Sequence, residues 1–419
     1  MKYKRSLPAL IAAIIFFHSN KLTNQSPAGS IAYVRDEKEI RVMQADGTGD
    51  HQLWTHKDAQ PYSGIGDLAW SPDGKALAFS SGHSSATSLF HSDIYIVKPD
   101  GSGLRKLTNP PEQSQYSNYP KGKLAVTVRN DSYSFQSSNA TAGSFFVYVA
   151  GADAPQLVTV PPGTSKTITF NSVADFGTKA QAIVAIYGNY RWFQAGTDVQ
   201  AGKTVKAPDM SITGDGIEYF GAFHPVWRSD GSEISYRTGT CTVDRIPVDP
   251  PEGEFYFKAM FNGKAPFGAC AWDWGPTPDL ANKIIYTENS TESAIFLMDE
   301  GGTHPGTKLV NYSDIQYQLL EDLHWLPDGS GFLFSTADLM RSSSNIFHYD
   351  FKTKQTRQLT KFENEFAKKF SISPAGNWIV YERTKEYDEN SPADLWIQTI
   401  NGSESKLLAK NAHSPSWSR

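Results

Sequence analysis

Apolar residues in this chain gather in short runs of strand length, separated by polar turns. Leu77-Ala78-Phe79, Ile94-Tyr95-Ile96-Val97, Phe332-Leu333-Phe334 and Trp378-Ile379-Val380-Tyr381 are rich in β-branched and aromatic residues and bounded by turn signals, which predicts strands. Pro72-Asp73-Gly74 combines a proline-set φ with a glycine free to take positive φ. Asp100-Gly101 is a second hairpin signal. The stretch from Asp67 to Thr108 therefore predicts four short antiparallel strands with a turn at each reversal. A sheet this small cannot bury both faces alone and needs neighbours of its own kind.

The neighbours are present. The turn recurs at Trp227-Arg228-Ser229-Asp230-Gly231, Trp325-Leu326-Pro327-Asp328-Gly329 and Ile372-Ser373-Pro374-Ala375-Gly376, with a looser copy at Trp274-Gly275-Pro276 and half a copy at Trp417-Ser418. From Trp227 onward the period is roughly 45–51 residues, which with four strands per unit points to the blades of a β-propeller. The first hairpin, Ile31–Val34 with Ile40–Trp54, has no preceding turn copy, and the last copy has nothing after it. Joined, the two make one blade, with the C-terminal strand innermost. That closure removes two sheet edges. The expected fold is all-β: a six-bladed propeller closed by pairing of N- and C-terminal strands.

Trp70 and Trp227 stand further apart than one period allows, by roughly 110 residues, about the size of a small domain. This insertion, residues 113–216, loses the Pro-Asp-Gly turns. It shows longer alternating runs: Leu124–Arg129, Phe145–Val149, Lys166–Phe170 and Ala182–Tyr187. Period-2 patterning at this spacing predicts a β-sandwich, with Trp192 and Tyr190 in its core and its two ends close together. Val160-Pro161-Pro162-Gly163-Thr164-Ser165-Lys166 resembles the turn before a strand in immunoglobulin-like surface domains. The domain plan is a signal peptide at 1–19, propeller blades one and two at 30–108, the inserted immunoglobulin-like sandwich at 113–216, and blades three to six with the closing strand at 221–419.

The Trp-Ser-Pro-Asp-Gly turn, the Ala-Phe or Tyr strand after it, and the Ile-Tyr…Asp-Gly…Leu-Thr hairpin resemble the repeats of TolB-like propeller proteins. The resemblance covers about residues 30–108 and 221–419. It implies protein–protein interaction in the cell envelope. The same repeat also occurs in lyases and in the propellers of prolyl-oligopeptidase-type peptidases, so it speaks for fold more than for function. The chain departs from the TolB-like pattern in lacking a separate domain before the propeller.

Composition narrows the partners. A net charge of −5 over 419 residues, with no basic run beyond the N-terminus, leaves no electrostatic footprint for nucleic acid. Lys2, Lys4 and Arg5 followed by the apolar run Leu7–Phe17 predict an export signal, too short to span a bilayer. The mature chain is expected in the periplasm or outside the cell, without stable membrane insertion, as a monomer binding an envelope or extracellular protein. An oxidising compartment permits a disulfide between the two cysteines, Cys241 and Cys270.

Catalytic motifs are missing: there is no Gly-x-Ser-x-Gly elbow, His-Glu-x-x-His pair, P-loop or dinucleotide fingerprint. The Asp-Gly pairs belong to hairpin turns rather than calcium loops. Chemistry is left to the central channel. The positions three before each turn aromatic, or before Ile372 in the blade that lacks one, are Asp67, His224, Ala271, Asp322, Lys369 and Ser414. Those one before are Ala69, Val226, Asp273, His324, Ser371 and Ser416. On a regular pleat both sets face one way. Glu321 and His413 would join them at the mouth. The rim candidates are thus Asp67, His224, Asp273, Glu321, Asp322, His324, Lys369 and His413. No cofactor or metal is expected. The alternative is a lyase or hydrolase acting on an anionic glycan, with the channel histidines holding a metal.

Overall fold

The computed structural model describes residues 26–418 except 57–63, 85–87, 89, 109–117, 132–142, 153, 178–180, 188–189, 196, 214–220, 239–241, 250–269, 288–293, 303–305, 316–318, 339, 341 and 388–390. The expected signal peptide lies outside these residues. The described chain is all β-strand apart from one helical turn, Tyr312–Ile315, and no helix in it is long and apolar enough to cross a membrane.

The stretch around Trp70 forms one antiparallel sheet of Ile65–Trp70, Leu77–Ser81, Asp93–Val97 and Arg105–Lys106, in that order. Its turn chemistry is local. Gly74 takes φ +68° and its N–H donates to Ser71 O at 2.9 Å. Asp100 Oδ1 accepts from the Ser102 N–H at 2.9 Å, and Asp230 and Asp328 do the same for Ser232 and Ser330. The turn carboxylates are therefore occupied by their own backbone. The Leu-Thr ending of the hairpin has a reason too. Thr108 Oγ1 donates to Asp93 Oδ1 at 2.7 Å and accepts from the Ile94 N–H at 3.0 Å. Thr360 repeats the device with Asn345 and Ile346.

Five more units follow the same plan. Ala271–Trp274, Lys283–Thr287, Ala294–Asp299 and Thr307–Asn311 form one sheet. Two further four-strand units begin at Leu319–Trp325 and Phe366–Ile372, merged by a single parallel bridge between Ser344 and Phe366. The unit from Ala222–Trp227 has three described strands. The sixth holds Ser30–Arg35, Glu39–Gln44 and His51–Thr55 together with Ala412–Trp417 from the other end of the chain. Ile31 lies opposite Trp417 and Arg35 opposite Ala412. The first strands of the six units, from Ile65–Trp70 round to Ala412–Trp417, pack side by side, and the last returns to the first.

Apolar layers fill the space between successive sheets. Ala32, Val34 and Ile40 pack with Leu68, Leu77 and Phe79, and Ala78 and Ile94 pack with Trp227, Ile234 and Tyr236. Burying each large side chain contributes about 1.5–3 kcal/mol. Hairpins also touch across sheets. A Cβ placed on Gly101, at φ +79°, would lie 2.4 Å from Leu53 O in the neighbouring sheet. Gly101→Ala is expected to lower the unfolding free energy by about 1–3 kcal/mol, through strain and backbone clash together. Gly231, also at positive φ but with open space around it, is the control. Urea denaturation should show the Gly231→Ala change costing clearly less.

The insertion folds as two sheets over one core. One has the order Gln156–Thr159, Ser144–Val149, Ala182–Tyr187, Tyr190–Ala195. In the other, Lys121–Asn130 lies between Ser165–Ala174 and the pair Thr204–Lys206 and Met210–Ile212. Val126, Phe145, Val147, Phe170, Ile183 and Trp192 meet between them. Trp192 is a core residue, edge-on to Phe145 at 5.9 Å; the Tyr190 side chain lies outside the described residues. Counting strands in chain order, the sheets read 3-2-5-6 and 4-1-7. One expectation is corrected: the sandwich ends are far apart. Met210–Ile212 runs parallel to Lys121–Asn130, with Ile212 opposite Asn130, so the domain begins and ends at opposite tips of a ten-residue strand, about 30 Å apart. Only the propeller side brings the ends together: Thr108 bonds to Asp93, and the Ala222 N–H donates to Ser92 O at 2.8 Å.

Cys270 is disulfide-bonded. The chain's other cysteine, Cys241, lies outside the described residues.

Candidate functional site

The six inner strands surround a cavity of about 140 Å³. Regular alternation does not place its side chains. The pairing register slips between Gly66 and Ala69, between Phe223 and Val226, between Leu320 and Asp322 and between Ala367 and Phe370. These bulges re-aim the strand at the channel. Asp67, His224 and Ser414 sit there with φ of 51°, 53° and 52°, a conformation that costs a non-glycine residue on the order of 1 kcal/mol or more. Hydrogen bonds offset the cost. The Asp67 N–H donates to Ser414 Oγ at 3.2 Å, the His224 N–H to Asp67 Oδ2 at 3.1 Å, and the Ser414 N–H to Glu382 Oε1. Each strained residue thus hands its amide to a side chain of another strand.

Of the eight rim candidates, Asp67, His224, Asp273, Asp322, His324 and Lys369 line the cavity. Ser371, Ser414 and Ser416 line it as well, whereas Ala271 is buried in the apolar layer beside it. His413 sits next to this lining, with Nδ1 3.3 Å from Ser414 Oγ. Glu321 falls on the strand Leu319–Trp325, and its side chain lies outside the described residues. Sequence reasoning missed Glu382, a buried carboxylate on the second strand of its sheet. A charge following Ile379-Val380-Tyr381 in an otherwise apolar run was the available signal.

Two ion-paired groups divide the floor. In the first, Lys369 pairs with Asp67 Oδ1, and His224 Nδ1 lies 3.8 Å from the same oxygen. Burial pushes the Asp67 carboxyl up, but the Lys369 charge and the His224 hydrogen bond outweigh it and hold the group well below the usual range. Burial works against the Lys369 ammonium, and Asp67 and Glu382 reverse that and raise it. Glu382 itself is raised by burial despite Lys369. Burial and the Lys369 charge bring His413 down to about 4, so it is neutral at pH 7. In the second group, His324 lies between Asp322 Oδ2 at 3.2 Å and Asp273 Oδ2 at 3.8 Å. Burial disfavours the imidazolium, but the two carboxylates raise it to about 10. Asp322 is lowered, burial being outweighed by His324.

The same carboxylates tie the inner strands together. Asp273 Oδ2 accepts the Trp325 N–H at 2.8 Å, and Asp322 Oδ2 accepts the Phe370 N–H at 3.0 Å. Ser416 and Ser371 do this for the Trp70 and Trp417 amides, at 3.0 and 2.9 Å. The turn tryptophans form the collar above: Trp227 Nε1 donates to Ala69 O at 2.9 Å and Trp325 Nε1 to Asp273 O at 3.2 Å. Among the described residues no three His, Asp or Glu side chains are arranged to hold a metal ion. The reason is local: the channel acids already bond to backbone amides, and His224 and His324 belong to different groups.

No protein-family model matches the chain, and no curated protein matches it in sequence. Among solved structures it is similar to TolB from Acinetobacter baumannii, at 14% identity over 94% of this chain and 67% of that one, with a TM-score of 0.46. It is also similar to a chain of a nidogen/laminin complex, at 8% identity over 93% and 99% with a TM-score of 0.45. An oligogalacturonate lyase in complex with manganese shows 13% identity over 92% and 86%, with a TM-score of 0.37. These likenesses concern fold alone.

Proposed function

We propose that the protein is an exported, non-enzymatic, six-bladed propeller. Its rim and its inserted sandwich serve as contacts for a protein partner in the cell envelope or extracellular space. The observation that carries this reading is the occupation of the channel carboxylates. Both oxygens of Asp67, Asp273 and Asp322 accept hydrogen bonds from lysine or backbone N–H donors within the ring. Acids used this way act as rivets between strands rather than as general bases or ligands. The circular succession of inner strands and the pairing of Ile31 with Trp417 support the blade count. The basic, then apolar, N-terminus supports export.

Cell fractionation and pull-down from envelope extract test the reading. The full chain is expected in the exported fraction, and it should recover one partner in stoichiometric amount. A second bait lacks the sandwich and joins Thr108 to Ala222, two residues that already flank Ser92-Asp93. It should recover less of that partner. Stoichiometric Mn or Zn on the purified protein would overturn the proposal in favour of a metal-assisted lyase, if His224→Ala with His324→Ala removed both the metal and cleavage of an anionic glycan.

A further inference from the structure

A cleft separate from the channel lies between the unit that begins at Leu319–Trp325 and the unit that begins at Phe366–Ile372. Its volume is about 460 Å³, within the roughly 300–1,000 Å³ common for small-molecule sites. One wall is the segment Arg357–Phe362, where the chain leaves the first of these units. The other is the face of the second sheet that carries Tyr381, Arg383 and Gln398. Gln398 is out of place there. Following the pairing from the last inner-strand residue through the second strand to the third gives Met43, Val97, Ile246, Met298 and Tyr349 in five units, and Gln398 in this one. All six side chains are buried. The single hydrogen bond of the Gln398 amide among the described residues is long, with Oε1 accepting from Tyr381 Oη at 3.4 Å. Its two N–H donors are unused on the lining of the cleft. A buried amide without partners disfavours folding. Its presence where the other units hold apolar or aromatic residues therefore points to a partner that enters from the cleft.

The charges of the lining have one sign. Arg357, Lys361 and Arg383 line the cleft, and no carboxylate does. Glu365, outside the lining, neutralises Arg383, whose guanidinium is fixed between the Phe362 and Trp396 rings at 4.7 and 4.6 Å. Arg357 and Lys361 have no acid partner among the described residues; Arg357 donates its Nε–H to His348 Nδ1 at 3.1 Å and leaves the rest of its fork open. Charge thus favours an anion here, and an anion between two cations gains charge-assisted hydrogen bonds. Gln358 and Asn401 add two more side-chain amides to that of Gln398. An amide offers a donor and an acceptor together, as a hydroxyl does. Leu359 and Ile400 supply apolar contact beside them. The set suits a hydroxylated ring that carries one negative group.

We propose that this cleft binds an anionic monosaccharide. Arg357 and Lys361 hold its carboxylate or phosphate, and Gln358, Gln398 and Asn401 bond its hydroxyls. The site lies apart from the channel and does not require a protein to dock on the rim.

Saturation-transfer NMR on the full-length protein at fixed ionic strength tests the site. The acid probes are glucuronate, galacturonate and glucose 6-phosphate. Glucose and galactose control for the ring, and acetate controls for the charge. At least one acid is expected to bind saturably, at least tenfold more tightly than its neutral sugar and than acetate. A response confined to the uronates identifies a carboxylate, and one confined to the sugar phosphate identifies a phosphate. Lys361→Met, at an exposed position, should weaken binding at least fivefold. Gln398→Met installs the residue type that Met43 and Met298 supply in other units. It should weaken binding at least tenfold without lowering the midpoint of urea denaturation, a combination that a purely structural glutamine would not produce. His324→Gln, in the channel, should leave binding within about threefold. The site is overturned by no saturable response to any acid, by equal responses to acids and neutral sugars, by wild-type binding in Gln398→Met, or by loss of binding in His324→Gln. None of these results bears on whether the pull-down recovers a partner.

Discussion

Trp417→Ala lowers the unfolding free energy of the propeller by about 3–5 kcal/mol, the range for removing a large buried aromatic from a core. Trp417 is 3% exposed and shares a core with Ile31, Trp378 and Ile397. Its indole donates to Ala28 O at 2.9 Å and its amide to Ser371 Oγ at 2.9 Å. The substitution removes the indole's bond to Ala28 O and its share of the core formed by both sheets, while the amide bond to Ser371 remains. The propeller and the sandwich have separate cores, so denaturation should be followed by two probes rather than treated as one transition. Trp417→Ala is expected to shift the propeller transition and leave the sandwich transition in place. Leu407→Ala, at an exposed position on the outer strand of the neighbouring sheet, should change stability by less than about 0.5 kcal/mol. A loss below about 1 kcal/mol at Trp417 would mean that the ring does not depend on its last strand.

Stability should fall as pH rises from about 6.5 to about 10, and His324 should be the cause. The folded protein holds the His324 proton up to about 10, whereas the unfolded chain releases it near 6.5. Between those values the folded state binds more protons, so raising the pH disfavours folding. The contribution is fully present below 6.5 and lost above about 10. Asp322 moves the other way. Its carboxyl is lowered on folding, so its contribution is present above the unfolded aspartate value and lost as the medium turns acidic. The pair is therefore worth most between roughly pH 4 and 6.5. His324 is 30% exposed, so solvent screens the pair and the alkaline loss should be on the order of 1–2 kcal/mol. His324→Gln should flatten the alkaline limb. Asp322→Ala leaves His324 with Asp273 alone and strands the Phe370 amide, and should cost about 1–3 kcal/mol at pH 6. An unchanged alkaline limb in His324→Gln would place the titrating group elsewhere.

The propeller units were legible because their signals are local. A Pro-Asp-Gly turn needs only its own residues, and Asp100 with Ser102 or Thr108 with Asp93 satisfy each other within one hairpin. The channel was legible in part. Counting back from each turn aromatic, or from Ile372, found Asp67, His224, Asp273, Asp322, His324 and Lys369, because a copy of the turn, whole or partial, marks the same end of each inner strand. What the count could not contain is the bulge. Alternation assumes a regular pleat, and the positive φ at Asp67, His224 and Ser414 depends on acceptors supplied by distant segments. Glu382 was missed for the same reason: it stands on a second strand and matters only because Ser414 turns its amide toward it. The sandwich core followed from period-2 runs. Its strand order did not, because the pairing of Lys121–Asn130 with both Ser165–Ala174 and Met210–Ile212 joins residues far apart in the chain.

The parallel pairing of the sandwich's first and last strands has a mechanical consequence. Tension applied through the two propeller attachments would reach the sandwich at its opposite tips and act along the strands. Hydrogen bonds between Met210–Ile212 and Lys121–Asn130 would then be loaded together in shear, not peeled one by one from a free corner. Resistance would come from the whole parallel pair at once.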